Sequence, residues 1–324
     1  MKSKIMSNFE IPQNVSYFGL LGNVNYSIQF IEFPNNLKVE QRAKSRIVEL
    51  IAEMTDQSTF EIEGRFETIY GCGDRKSAYC ITTQLMDAPK QDNESSVSYF
   101  LKTHEYQSSF IEKIEQRINL LRLCSKGDIR LSFSCFYTYD DQGKRELDAL
   151  HDNFNELRNW KFHVSPTEID NFNDFISTTR FPLSHEYLQL AFETFLLSYE
   201  AHDDRLSFLA LMIAMETLFN DGNQELRYRL ARGAAVFLGK SSRESHQIFN
   251  DIRKLYDKRS TLVHTGDSKK LSTSDLLLLQ NYVRNSLRLL IQCNLPKKDL
   301  INRLTVEGFG ALNRIKKFGT KKQG

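Results

Sequence analysis

The spacing of apolar residues changes near residue 180, and that change constrains the chain more than any other feature. Upstream, apolar side chains alternate. Phe60, Ile62, Phe66 and Thr68 lie on one parity, and Leu131, Phe133, Cys135 and Tyr137 alternate in the same way before the turn-like Asp140-Asp141-Gln142-Gly143. A period of two marks a strand with one buried face. Downstream of Pro182 no strand pattern occurs for about a hundred residues, and apolar positions recur with the period of a helix.

In the first half, further strands are expected over residues 15–20 and 26–33, and a helix over 110–123 with Phe110, Ile114, Ile118 and Leu121 on one side. Residues 39–54 read either as a short helix or as an irregular connection. The polar stretch 87–98 contains Pro89 and reads as an exposed loop. A β-sandwich or a strongly curved sheet is the simplest assembly of these parts.

The second half carries five helical segments, over 187–200, 205–219, 226–238, 244–264 and 275–293. The first presents Leu188, Phe192, Phe195 and Tyr199, the second Leu206, Leu209, Ile213 and Leu218. Gly239 supplies a stop after the third, and Ser272-Thr273-Ser274 supplies caps for the fifth. Successive amphipathic helices with short connections bury their stripes against one another, which makes a bundle. The expected architecture is α+β. A β-rich, sandwich-like domain occupies 1–178, an all-α bundle 179–295 and a basic tail 296–324.

With 324 residues, 40% of them hydrophobic, 23 Phe and 13 Tyr, the chain can fill two cores. No apolar run approaches the roughly 20 residues of a membrane span, and Met1-Lys2-Ser3-Lys4 opens no signal peptide. A cytoplasmic protein with no membrane partner is expected. The cysteines, Cys72, Cys80, Cys124, Cys135 and Cys293, are odd in number and form no Cys-x-x-Cys pair, so they are expected reduced and mostly buried. The histidines form no His-Glu-x-x-His cluster, and neither a metal nor a cofactor is expected.

The net charge of +2 is unevenly placed. Residues 297–324 hold eight Lys/Arg and two acids, a local charge of +6 that leaves −4 elsewhere. Such a tail either recruits an anionic polymer such as RNA or serves only as a solvated tail.

The fourth helical segment contains a local conflict. Ile248, Ile252, Leu255, Leu262 and Val263 define one apolar stripe, and Arg259 lies seven residues after Ile252 and four before Val263, along the same stripe. A guanidinium keeps its charge there and needs a partner or a second subunit. Gly266 is placed to end the helix in the left-handed conformation, which puts His264 in or beside the last turn. The helix dipole favours imidazolium at that end while burial opposes it, a balance suited to proton transfer near neutral pH. Arg259 and His264 are about 140° apart around an ideal helix, so they border one cleft only if a second helix or subunit closes it. The chemistry compatible with the pair is attack of an RNA 2′-hydroxyl on the adjacent phosphate. Histidine moves the proton, and arginine holds the phosphoryl oxygens.

The segment Leu255-Tyr256-Asp257-Lys258-Arg259-Ser260-Thr261-Leu262-Val263-His264-Thr265-Gly266 resembles the signature of the HEPN superfamily, particularly its Apea-like branch. Glu216-Thr217-Leu218-Phe219 and the stretch 226–235 also resemble that branch in order and spacing. The resemblance covers roughly residues 180–295. It implies a metal-independent endoribonuclease acting on RNA as a homodimer, in the manner of a toxin or a phage-defence protein. A regulatory protein or a phage-derived trigger is a further implied partner. By position Arg259 and His264 match the catalytic pair. Ser260 takes a polar position where many members carry Asn, Asp or His, and a hydroxyl orients a phosphate less firmly.

Supporting residues follow from their surroundings. Glu216 interrupts the apolar run 211–218, which calls for a cationic partner, Arg259 or Arg232, unless it simply faces solvent. Arg227, Arg229 and Arg232 are candidate RNA contacts on a helix whose polar side would carry arginines in any case. Tyr256 lies one turn before Arg259, where it either stacks on a base or packs in the core or a dimer interface. The first half is expected to sense or target. The competing function for the second is a non-catalytic RNA-binding or dimerisation module.

Overall fold

The computed structural model describes residues 14–33, 37–68, 76–86, 95–139, 143, 145–152, 161–222, 224–267 and 271–310. The chain divides into two compact units, Met1–Asn173 and Asp174–Gly324. An antiparallel sheet builds the first and helices build the second, an α+β architecture. No described helix is long and apolar enough to cross a membrane.

The sheet consists of β1 (Asn14–Gly22), β2 (Lys38–Ala43), β3 (Ser77–Met86), β4 (Arg130–Tyr139) and β5 (Arg145–Asp152), in the spatial order β2-β3-β1-β4-β5. Among the described residues it is one layer, not the two of a sandwich. Helices take the place of a second sheet. α1 (Lys44–Thr55) and α2 (Thr59–Thr68) bring Ile47, Ile51, Ile62 and Phe66 against Phe18, Leu20, Cys80, Phe133 and Cys135. On the opposite face α3 (Ser96–Cys124) presents Phe110, whose ring meets Tyr17 at 5.0 Å and Phe136 at 5.8 Å. The central strand β1 is therefore buried on both sides, which a two-layer reading of one-sided strands does not anticipate.

Two expected strands are helical for identifiable local reasons. Over 26–33, Tyr26–Phe30 is a short 3₁₀ helix, because the Asn25 side chain accepts from both the N–H and the hydroxyl of Ser27 and folds the chain back. The alternating run from Phe60 is α2. Ser58-Thr59-Phe60-Glu61 is a capping box in which Glu61 N–H donates to Ser58 Oγ and Ser58 N–H to Glu61 Oε2. Ile62 and Phe66 are four apart and share a helical face as readily as a strand face, while Phe60 is 83% exposed. The ambiguous 39–54 resolves into the end of β2 followed by α1. The expected loop 87–98 lies partly outside the described residues, and 96–98 open α3.

The parity of β4 is also broken once. Leu20 pairs with Phe133 but Leu21 with Leu131, so an extra residue shifts the register between them. Leu131 thereby moves to the Tyr17 face, where a Cβ on Gly19 would come within 2.9 Å of its Cδ1. Where α3 runs into β4, Asp128 is fully buried with Arg130 Nε 2.9 Å from its Oδ1 and Arg122 Nη2 3.7 Å away.

The second unit begins within α4 (Ile169–Thr178), slightly upstream of the boundary read from the sequence. It continues with α5 (Glu186–Glu200), α6 (Asp204–Phe219), α7 (Leu226–Leu238), α8 (Ser242–Thr265), α9 (Thr273–Cys293) and α10 (Lys297–Val306). Leu188, Phe192, Phe195 and Tyr199 of α5 are buried, as their spacing requires. Ser272 and Asp275 close a capping box at the start of α9. Gly239 ends α7 without a left-handed turn; a Cβ there would lie 2.0 Å from Ser245 Oγ, so close approach of α8 demands the glycine. The first part of the basic segment is helix α10, with Leu300 and Leu304 buried, and residues 311–324 lie outside the described residues.

Candidate functional site

Helix α8 carries the Arg-x4-His segment. Its start is fixed by Ser241, whose side chain accepts from the Glu244 N–H, and its end by Gly266 at φ 68°, whose N–H returns to the Leu262 carbonyl. Ile248, Ile252, Leu255 and Leu262 form the buried stripe. Val263 is not part of it, being 50% exposed, and His264 beside it is exposed. The stripe thus leaves the core within the last turn. Arg259 sits at the edge where this happens, with 27% of its side chain accessible.

The guanidinium has two neighbours. Its Nε lies 3.6 Å from Oε1 of Glu216 on α6, and its Cζ stands 5.8 Å from the ring centre of Tyr256 one turn earlier. Glu216 therefore faces Arg259 and not Arg232. Burial pushes the Glu216 carboxyl above its ordinary value, and the positive charge of Arg259 pulls it back. Oε1 is itself buried without a hydrogen bond, the ion pair being too long to supply one. The pair is held together by charge with unused hydrogen-bonding capacity on the carboxylate.

Ser260 and His264 are four residues apart, so they stack on one face of the helix. Neither side chain makes a hydrogen bond or ion pair among the described residues. Arg259, Val263 and His264 stand on the same uncovered end of α8, and Glu216 and Tyr256 flank the arginine.

The three α7 arginines diverge. Arg227 reaches Asp257 of α8 at 2.5 Å, beside the site. Arg229 pairs with Asp221. Arg232 donates to the carbonyls of Leu304, Thr305 and Glu307 and so closes the end of α10. Only Arg227 is tied to the helix of the motif.

Sequence reasoning missed the uncovered face of α6. Leu206, Leu209 and Ile213 were expected on its buried side, yet Leu206 is 59% and Ile213 47% exposed, and Leu209 is half-buried. The buried residues are Phe208, Leu211, Met212, Ala214, Met215, Leu218 and Phe219. α6 is apolar almost all round, so the period does not say which face meets the core. The signal available was Glu216 itself: positions 206, 209, 213 and 216 recur at helical spacing, which puts the three aliphatic residues on the face that ends at the carboxylate.

Among the described residues no group of three or more His, Cys, Asp or Glu is clustered as metal ligands would be. Compared with protein-family models, with curated proteins and with solved structures, the chain matches none.

Proposed function

We propose that the protein is an endoribonuclease of the HEPN type, acting on RNA as a homodimer through its second unit, in the manner of a toxin or a phage-defence protein. The observation that carries this reading is the open end of α8. An arginine positioned by Glu216 and a histidine whose side chain has no partner among the described residues stand on one exposed helix end.

In this reading Arg259 binds the phosphoryl oxygens and stabilises the extra charge as the 2′-oxygen bonds to phosphorus. One His264 of the dimer takes the 2′-hydroxyl proton, and the second returns a proton to the departing 5′-oxygen as the P–O5′ bond breaks. The chain supplies every group that this step uses. The products are a 2′,3′-cyclic phosphate and a 5′-hydroxyl. Glu216 fixes the arginine, Tyr256 limits its swing, and Ser260 offers a hydroxyl on the histidine's side of the helix. Arg227 is the remaining candidate for an outlying phosphate contact, since Arg232 is committed to α10.

The homodimer is supported by the aliphatic face of α6, Leu206, Leu209 and Ile213, which runs into Glu216, and by exposed Val263 on α8. A second copy laid there would remove apolar surface from water and bring a second Arg259 and His264 to the same seam. Incubating total RNA with wild-type protein and with His264→Ala in chelator tests the assignment. Cleavage by the wild type and its loss in the variant are expected, and equal cleavage by both preparations overturns the role of His264. Equal weakening of RNA binding and dimerisation by Arg259→Ala and His264→Ala, with no cleavage by either parent or variant, is the outcome of a non-catalytic module.

A further inference from the structure

Among the described residues, α1 and α2 cover one end of a face of the sheet in the first unit. Toward one end it presents Phe18 and Leu20 of β1, Ala78 and Cys80 of β3, and Phe133 and Cys135 of β4, all under α1 and α2. Toward the other end the same face turns polar. Ser16 pairs across to Gln84 and to Tyr137, and Thr82 pairs with Lys38, so these side chains share the face of Phe18. They line a cleft of about 880 Å³ that also reaches Tyr139. A second hollow of about 490 Å³ adjoins it, with Arg42 common to both and Arg145 in its wall.

Three properties of this surface restrict what it can hold. First, most of it lies on the face of β3, β1 and β4, which are paired on both sides, with the edge strand β2 forming one rim, whereas a peptide that joins a sheet lies along the edge itself or seats apolar anchors in a groove. The floor here is hydroxyl, amide and phenol. Second, it carries rings and cations together. Tyr139 is 52% exposed, its ring 5.8 Å from that of Tyr137, and the Arg145 guanidinium stands 5.7 Å from its centre. Third, among the described residues Lys38 is a cation of the cleft with no ion-pair partner. Arg42 places Nε and Nη2 on Glu40 at 3.0 and 2.9 Å, and Arg145 places Nη1 on Glu53 at 2.7 Å. Lys38 is exposed.

We infer that the polar half of this face binds a short single-stranded nucleic-acid segment. Four strands at roughly 4.8 Å spacing span about 15 Å, and a comparable four-stranded platform holds about two or three bases. A base stacks on the exposed part of Tyr139. Gln84, Thr82 and Ser16 meet base or sugar edges. Lys38 takes a phosphate, and the Arg–Glu pairs hold the remaining guanidiniums in place. The inference stands on the first unit alone and is independent of Arg259 and His264.

The test uses the full chain carrying His264→Ala, so that no cleavage confuses the reading, and fluorescein-labelled RNA and DNA hexamers followed by anisotropy. Tyr139→Ala is expected to weaken binding at least about fivefold, with recovery in Tyr139→Phe. Lys38→Glu is expected to weaken it and to flatten the salt dependence by about one phosphate contact. A preference for RNA over DNA of the same sequence assigns the sugar edge to the 2′-hydroxyl, and equal binding assigns it to the bases and phosphates shared by both. Photo-crosslinking of the same His264→Ala chain to hexamers carrying 4-thiouridine or 4-thiothymidine, with the adduct mapped by mass spectrometry, reads the site with the cleft itself unaltered; an adduct at the exposed Tyr139 is expected. Adducts confined to residues 186–306, or no hexamer binding at all, overturn the inference, as does capture of synthetic peptides at Tyr139 in place of the hexamers.

Discussion

Each unit sets arginine against a carboxylate, and the two settings are opposites. In the first, Asp128 is sealed, with Arg130 at 2.9 Å, Arg122 at 3.7 Å and the Arg122 Nε donating to the Ile129 carbonyl. In the second, Arg259 and Glu216 stand 3.6 Å apart at the lip of α8, each with about a quarter of its side chain in contact with water. The sealed cluster is enclosed, and its carboxylate takes a 2.9 Å bond from Arg130. The open pair has no contact as short as that, leaves a carboxylate oxygen without a hydrogen bond and keeps part of the guanidinium accessible. A charge pair serves architecture when its partners are satisfied and enclosed; it is available to a ligand when they are not.

The contrast breaks most easily at the sealed end. Asp128→Ala leaves two guanidiniums buried without their shared anion and is expected to cost about 3–5 kcal/mol, read by chemical denaturation. A loss under about 1 kcal/mol would place that cluster in the same class as the open pair. The next largest effect belongs to the uncovered α6 face. Ile213→Asp puts a charge where a second copy is proposed to pack, and removing about 1.5–3 kcal/mol of apolar burial weakens association roughly ten- to a hundredfold. Sedimentation equilibrium checks it, with the helical content unchanged.

Arg259→Ala should cost only about 1 kcal/mol of stability, because its pair is long and partly solvated, while RNA cleavage is lost. A stability loss as large as that of Asp128→Ala would make Arg259 a structural residue. The smallest effect is one of pH. Burial raises the Glu216 carboxyl above its unfolded value, so the folded chain holds that proton more tightly. Its contribution to stability is then greatest below the ordinary carboxylate value and falls as pH rises through the raised one. Glu216→Gln removes this fall, and melting temperatures measured from acid to neutral pH should decline less in the variant than in the wild type.

Much of this was legible in the residues, and what was not has local causes. All the described strands lie upstream of residue 180, but helices lie on both sides of it, so the change of period marks where strands stop and not where helices begin. The left-handed Gly266 and the capping serine of α9 can be read directly, since each places a specific conformation or side chain at a helix end, whereas the Ser241 cap of α8 was not read. The strand reading of Phe60 to Thr68 failed because spacings of two and four are common to both structures, and the deciding signal was Ser58 and Glu61 outside the apolar pattern. The sandwich reading failed because a strand buried on both faces carries no alternation to say what covers it. At the site, Arg259 and His264 follow from spacing and resemblance. The Glu216 partner required the fold, as Arg259 and Arg232 were equal choices until α6 met α8. The outward turn of Leu206 and Ile213 was hidden by a helix apolar on nearly every side.

The central claim is that the open pair handles a phosphate during attack by a 2′-hydroxyl, and the ends of the RNA fragments report that chemistry most directly. Mass spectrometry of products formed by the wild-type protein in chelator should find 2′,3′-cyclic phosphate and 5′-hydroxyl ends, absent with Arg259→Ala. Fragments bearing 3′-hydroxyl and 5′-phosphate ends, or the same fragments from the variant, would contradict it.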